Sequence, residues 1–138
     1  MAKIIQKVKL TNSFHLFAAD KGWIKKKEIK SLVINMWVDS GAAMVCLPSR
    51  MISELGLEKK SEKQISTTSG YVLSSLYSPV TISILDREIE LNIMEIPDGV
   101  PPLLGSIALE AMNLVVNPRK QIVESNPQQN GKYFIGLI

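Results

Sequence analysis

The chain has 138 residues, 46% of them hydrophobic and 21% charged, which fits one globular domain spanning residues 1–138 with a sizeable core and excludes a disordered chain. Aromatics make up only 6%, so the core must be mostly Ile, Leu, Val and Met. A net charge of +3 is too mild to demand nucleic acid, the single cysteine excludes an internal disulfide, and no apolar run reaches the roughly 18 residues that span a bilayer; neither nucleic acid nor membrane is expected as a partner, and the default compartment is the cytoplasm.

In chain order, Lys3 to Leu10 mixes basic and apolar residues and reads as an exposed or edge strand. Thr11 to Gly22, punctuated by Asn12, Asp20 and Gly22, reads as a loop. Lys25, Lys26, Lys27 and Lys30 form a basic cluster beside Trp23, of the kind that is more often a solvated turn than a nucleic-acid patch. His15 is the only histidine and has no partners for a triad or a zinc site. Ile29 to Val38 is a strand entering the core and Ala42 to Leu47 a strand leaving it, with Asp39-Ser40-Gly41 between two runs that look mostly buried.

Burying a carboxylate is costly unless something pairs with it or uses it, so Asp39 is a functional candidate. Gly41 lets the backbone turn sharply and approach a partner closely. Ser40 supplies a hydroxyl that can brace the loop, and Asp39 then projects from rigid strands, as a catalytic group must. The same residues would also serve a plain turn in which Asp39 caps its own backbone. Cys46, in the run that follows, has an apolar setting that raises a thiol's pKa and reads as buried filler, not as a nucleophile.

Ser49, after Pro48, is a plausible N-cap for a short helix that Gly56 stops. Glu58 to Lys63 reads as a charged loop. Gln64 to Thr68 and Tyr71 to Tyr77 flank Ser69-Gly70 as a β-hairpin, and Val80 to Leu85 and Glu88 to Glu95 form two more strands around a turn at Asp86-Arg87. A proline-rich loop, Pro97 to Pro102, delivers Leu103-Leu104-Gly105. Ser106 can then cap a helix, Ile107 to Met112, that Asn113 ends in the left-handed conformation. Leu114 to Val116 and Gln121 to Val123 are strands around Asn117-Pro118. Tyr133 to Ile138 is an apolar strand in need of a partner.

The run Met36 to Pro48, with apolar residues leading into Asp39-Ser40-Gly41-Ala42, resembles the active-site loop of retropepsin-like aspartic proteases. A second match is the Leu103-Leu104-Gly105 element opening a short helix, in the right order after a hairpin; the L-P-S-x-x-x-x-E-L-G-L run from Leu47 to Leu57 is similar to small bacterial and archaeal members. The resemblance spans roughly Lys3 to Pro127. It implies an all-β, single-domain acid-protease barrel with one or two short helices and a flap hairpin, active as a homodimer.

The implied activity is peptide-bond hydrolysis by two carboxylates sharing a proton. One Asp39 comes from each subunit, the substrate is a peptide or protein, and no metal or organic cofactor is needed. Ser40 would cross-brace the two active-site loops, with Gly41 and Ala42 completing each loop and Leu103, Leu104 and Gly105 supporting it. Thr67, Thr68, Ser69, Gly70 and Tyr71 would form the flap over the substrate. Tyr133 to Ile138, with Lys3 to Leu10 as a further candidate, would build the intersubunit sheet. Ser40 stands where viral members carry Thr, and the flap lacks their Gly-rich tip. Two other readings share the pattern: an inactive dimeric interaction module on the same barrel, and a monomeric β-barrel adaptor in which Asp39 is only a turn residue.

Overall fold

Period-2 alternation of apolar side chains builds most of this molecule. In the computed structural model, which describes residues 3–127, strand β1 (Ile5–Asn12) and strand β2 (Ser31–Val38) pair antiparallel, with Ile5 opposite Trp37 and Leu10 opposite Leu32. Val8, Leu10 and Met36 point inward and are fully buried, while Lys7, Lys9, Val33 and Asn35 point outward. Strand β3 (Cys46–Pro48) follows the Asp39 turn, β4 (Lys59–Thr67) and β5 (Gly70–Ile84) form a long hairpin, and β6 (Arg87–Ile96) returns along β5. A two-residue strand, β7 (Leu103–Leu104), lies parallel to β2 and antiparallel to β3.

The sheet order is β1-β2-β7-β3-β6-β5-β4, and β1 also pairs with β5 from Lys9 to Asn12. That last pairing closes six strands into a ring, a barrel from which β4 and the tip of β5 flare. Closure removes open edges, the usual hazard of a sheet. Inside lie Leu47, Val80, Ile82, Ile84, Ile93 and Leu104, with Ile52 of helix α2 (Ser49–Glu54), Ala108 of helix α3 (Ser106–Ala111) and the residues that follow the two helices, Leu55 and Met112, packed on the same core. A separate ribbon, β8 (Leu114–Asn117) with β9 (Ile122–Ser125), buries Leu114 and Val123 against it.

The fold is sheet-dominated, as expected, but several boundaries differ. Thr11 to Gly22 is not a loop: β1 runs to Asn12, and a helix, α1 (Ser13–Asp20), follows. Asn12 is its cap, accepting from the His15 amide at 3.1 Å, while its Nδ2 donates to the Leu55 carbonyl at 2.8 Å. With α1 the described residues hold three short α-helices, one more than expected. Glu58 to Lys63 is also not a loop, since β4 begins at Lys59; an outer strand with one face in water is free to be charged. The turn ending that hairpin is Thr68-Ser69, one residue earlier than predicted, with Gly70 at φ +113° opening β5.

Neither Ser49 nor Ser106 caps its helix. Each is the first helical residue, preceded by Pro48 and Gly105 with no side-chain cap. The orphan amides of α2 are met from a distance instead, Arg50 N–H donating to Asp98 at 2.9 Å. Gly56 (φ +65°) and Asn113 (φ +53°) end α2 and α3 in the left-handed region, as predicted. The lysine cluster sits at a 3-10 turn, Lys26–Glu28, and is exposed. The expected strand Tyr133 to Ile138 lies outside the described residues.

Candidate active site

The Asp39 turn is built from backbone constraints on both sides. Parallel pairing of Trp37 with Leu103 and Val38 with Leu104 carries the chain out of the barrel. Trp37 N–H donates to the Pro102 carbonyl at 2.9 Å, Val38 N–H to Ile4 at 2.9 Å, and Asp39 N–H to Leu104 at 3.0 Å. Within the turn, Ala42 N–H donates to the Asp39 carbonyl at 3.1 Å and Gly41 N–H to Asp39 Oδ1 at 3.0 Å.

Beyond the turn the backbone binds α3 directly. Ser106 N–H donates to the Ala42 carbonyl at 2.7 Å and Ile107 N–H to Ala43 at 3.2 Å, so the turn's carbonyls satisfy two of the four amides that a helix start leaves unpaired. This docking needs a residue without a side chain before the helix. A Cβ placed on Gly105 would lie 2.7 Å from both the carbonyl carbon and the oxygen of Ala43, closer than real contacts allow. The residues predicted as catalytic loop (Asp39, Ser40, Gly41, Ala42) and as support (Leu103, Leu104, Gly105) are therefore one hydrogen-bonded unit. The run after Gly41 is irregular up to Val45 and becomes strand only at Cys46, because the carbonyls of Ala42 and Ala43 are committed to α3 and not to a ladder.

Asp39, Ser40 and Gly41 are exposed in the single chain, against the expectation of mostly buried flanks: β2 is covered on one face only, with Val33 57% exposed on the other. Among the described residues Ser40 makes no side-chain hydrogen bond. Cys46, half-buried, lies close enough to register the carboxylate: burial raises its thiol pKa and Asp39 adds in the same direction. Its Sγ points to the Met44 carbonyl at 3.8 Å, consistent with a protonated thiol and the reading of filler.

The predicted flap residues form the hairpin end. Thr67 Oγ1 donates to the Gly70 carbonyl at 2.7 Å and accepts from Ser69 N–H at 3.2 Å, fixing the turn locally, and Tyr71 and Leu73 beyond it are 71% and 72% exposed. Among the described residues no hydrogen bond joins this tip to the Asp39 turn. A cleft of about 820 Å³ lies between α1 and the start of β4, lined by Phe14, His15, Phe17, Lys59 and Glu90, and does not include Asp39. His15 there is occupied, its Nδ1 accepting from Lys30 N–H at 3.1 Å. Among the described residues no group of three His, Cys, Asp or Glu side chains could hold a metal.

Two features of the site's surroundings escaped the sequence reading. Lys3 sets its ammonium 3.5 Å from the ring centroid of Trp37, two residues before Asp39. Arg87, expected in a turn, is instead 3% exposed, donating from Nη1 to the carbonyls of Met112 and Asn113 at 2.8 and 2.9 Å and from Nη2 to Ser125 Oγ at 2.7 Å. It thereby ties the end of α3 to β9. A signal for the first was present in the alternation of β2; a lone arginine in a turn-like Leu85-Asp86-Arg87 gave none for the second.

A family model described as "gag-polyprotein putative aspartyl protease" matches residues 26–111, a span that contains both the Asp39 turn and the Leu103-Gly105 support. No curated protein matches the chain.

Proposed function

The chain belongs to the gag-polyprotein aspartyl protease family, and on that premise we propose that it is an aspartic-type endopeptidase working as a homodimer, with one Asp39 carboxylate from each subunit. Hydrolysis by this chemistry needs two carboxylates in contact that hold one proton between them. The ionised one takes a proton from water, whose oxygen attacks the scissile carbonyl carbon, while the protonated one donates to the carbonyl oxygen. The tetrahedral intermediate then collapses as the amide nitrogen is protonated and the C–N bond breaks. Each chain has one Asp-Ser-Gly-Ala element, so a two-fold axis has to supply the second.

The observation that carries this reading is an exposed carboxylate on a turn pinned by the Leu104 carbonyl, by α3 and by the close approach at Gly105. Exposure in one chain is what a group completed by a second chain requires. In the dimer Ser40, whose hydroxyl has no partner among the described residues, would brace the opposite loop, and the Thr67 to Tyr71 hairpin would close over a peptide held by strand-like hydrogen bonds. We place the protein in the cytoplasm, where the free thiol of Cys46 would remain reduced.

Asp39→Asn is the test, assayed on unstructured peptides from pH 4 to 7 alongside sedimentation of both proteins. The expected result is a dimer in each case and a loss of cleavage of at least about a hundredfold in the variant. Equal cleavage by the variant would remove Asp39 from the mechanism. A dimer without cleavage in the wild type would leave the inactive interaction module, and a monomer at assay concentration would leave the adaptor.

A further inference from the structure

The outer face of the β1–β2 pair leads straight to Asp39. Directly opposed residues in an antiparallel pair share a face, so Ile5 with Trp37 and Lys9 with Val33 line one surface, with Lys7 between. Trp37 stands near the end of β2, two residues before Asp39. Lys3 extends the row, held near the turn because Ile4 accepts from Val38 N–H. All three lysines are exposed, Ile5 and Val33 are 53% and 57% exposed, and neither strand contains an acidic residue. Among the described residues Lys3, Lys7 and Lys9 form no ion pair. The row thus runs Lys3, Ile5, Lys7, Lys9, with Trp37, Asn35 and Val33 opposite the last three, and its near end is the Trp37 ring, two residues before Asp39.

We propose that this face docks an acidic, extended segment of the protein chain presented for cleavage, in which Asp or Glu side chains meet the lysines and apolar side chains lie on Ile5, Val33 and Trp37. The substrate role rests on the protease reading; the docking does not. Charge complementarity selects the occupant, because the charged side chains of β1 and β2 are all lysines and stand beside the apolar Ile5, Val33 and Trp37. From Lys3 to Lys9 the track is seven residues long, roughly 20 Å over its six steps at the strand rise, so a segment of about six to eight residues covers it. A nucleic acid would satisfy the lysines but not the aliphatic surface between them.

The test uses the full chain carrying Asp39→Asn, so that binding is read without turnover. The probe is a fluorescein-labelled eight-residue peptide alternating Glu with Leu, followed by anisotropy at 50 and 500 mM salt. In the triple variant Lys3→Ser, Lys7→Ser, Lys9→Ser, binding at low salt should weaken about tenfold or more, and the difference should narrow at high salt, as screened exposed charges require. The triple Lys→Glu variant should instead prefer the same peptide with Lys replacing Glu. In the active chain, an acidic flank on a cleaved peptide should lower KM and leave kcat unchanged. Equal binding by the Lys→Ser variant, no binding by the parent, or displacement of the peptide by an oligonucleotide of equal charge at lower concentration would each overturn the proposal. Absence of cleavage alongside lysine-dependent binding would instead count against the protease reading alone.

Discussion

Gly105→Ala separates crowding from every other effect of a glycine. Gly105 has φ −88°, open to any residue, so alanine brings no backbone strain and the cost is steric. The new methyl would sit 2.7 Å from Ala43 backbone atoms, which cannot swing aside as a side chain tip would. Either the Asp39 turn or α3 must back away, stretching the 2.7 Å and 3.2 Å bonds from Ser106 and Ile107. Overpacking of a tight site costs about 1–3 kcal/mol, and each backbone hydrogen bond lost adds about 1 kcal/mol, so about 3 kcal/mol is expected in all. At roughly 3–4 °C per kcal/mol for a chain of this size, Tm should fall by about 10 °C. Calorimetry at one protein concentration for both chains measures this, since association shifts Tm by mass action. A change below about 2 °C would refute the claim that the turn and α3 are rigidly joined. Gly41→Ala is the informative contrast: its Cβ would meet only Asp39 Oδ1, at 3.3 Å, so cleavage should suffer while Tm stays close to that of the parent.

Arg87→Met should destabilise the chain by about 3–5 kcal/mol, because buried carbonyls of Met112 and Asn113 lose a charged donor; Arg87→Lys should not rescue it, lacking the planar fork, and urea denaturation of the three proteins decides. Asn12→Ala removes both the α1 cap and the donor to Leu55, with an expected loss of about 1–3 kcal/mol by the same measurement. Cys46 should react with iodoacetamide at pH 7.5 more slowly than free cysteine, since burial and Asp39 both raise its pKa and keep the thiol protonated. Asp39→Asn should speed that reaction only in part, burial being the larger cause; a full recovery to the free-cysteine rate would show the ordering to be wrong.

Strands β2 and β5 were legible because Leu32 to Met36 and Val80 to Ile84 each declare an inner face, whereas β1, expected as an exposed or edge strand because of its lysines, pairs with both β2 and β5 and buries Val8 and Leu10 fully. The Asp39 turn and the Leu103-Gly105 support were legible as order and residue type. What joins them was not, because carbonyls of Ala42 and Ala43 meeting α3 amides across sixty residues leave no local pattern. Helix α1 was missed for a related reason. Asn12 and Ser13 read equally as turn residues, and Phe14 and Phe17 stay 61% and 51% exposed, so α1 has no buried apolar stripe to announce it. Likewise β4 was lost to its charges, which suit a strand on the outside of a barrel as well as they suit a loop.

The competing account of Asp39 as an ordinary turn residue explains one observation, the Gly41 amide on its Oδ1, and stops there. A turn needs no helix start docked beneath it, and no glycine sixty residues away to admit its carbonyls. A constraint of that kind restricts the sequence at two distant places and contributes to holding a carboxylate that, in the single chain, stays in water. Exposed side chains normally remain free to move, because ordering them costs entropy that solvent contacts do not return. Spending fold constraints on the position of an exposed acid makes physical sense when something outside the chain must find that acid in one place. In the homodimer proposed above, the Asp39 of a second subunit would be such a thing.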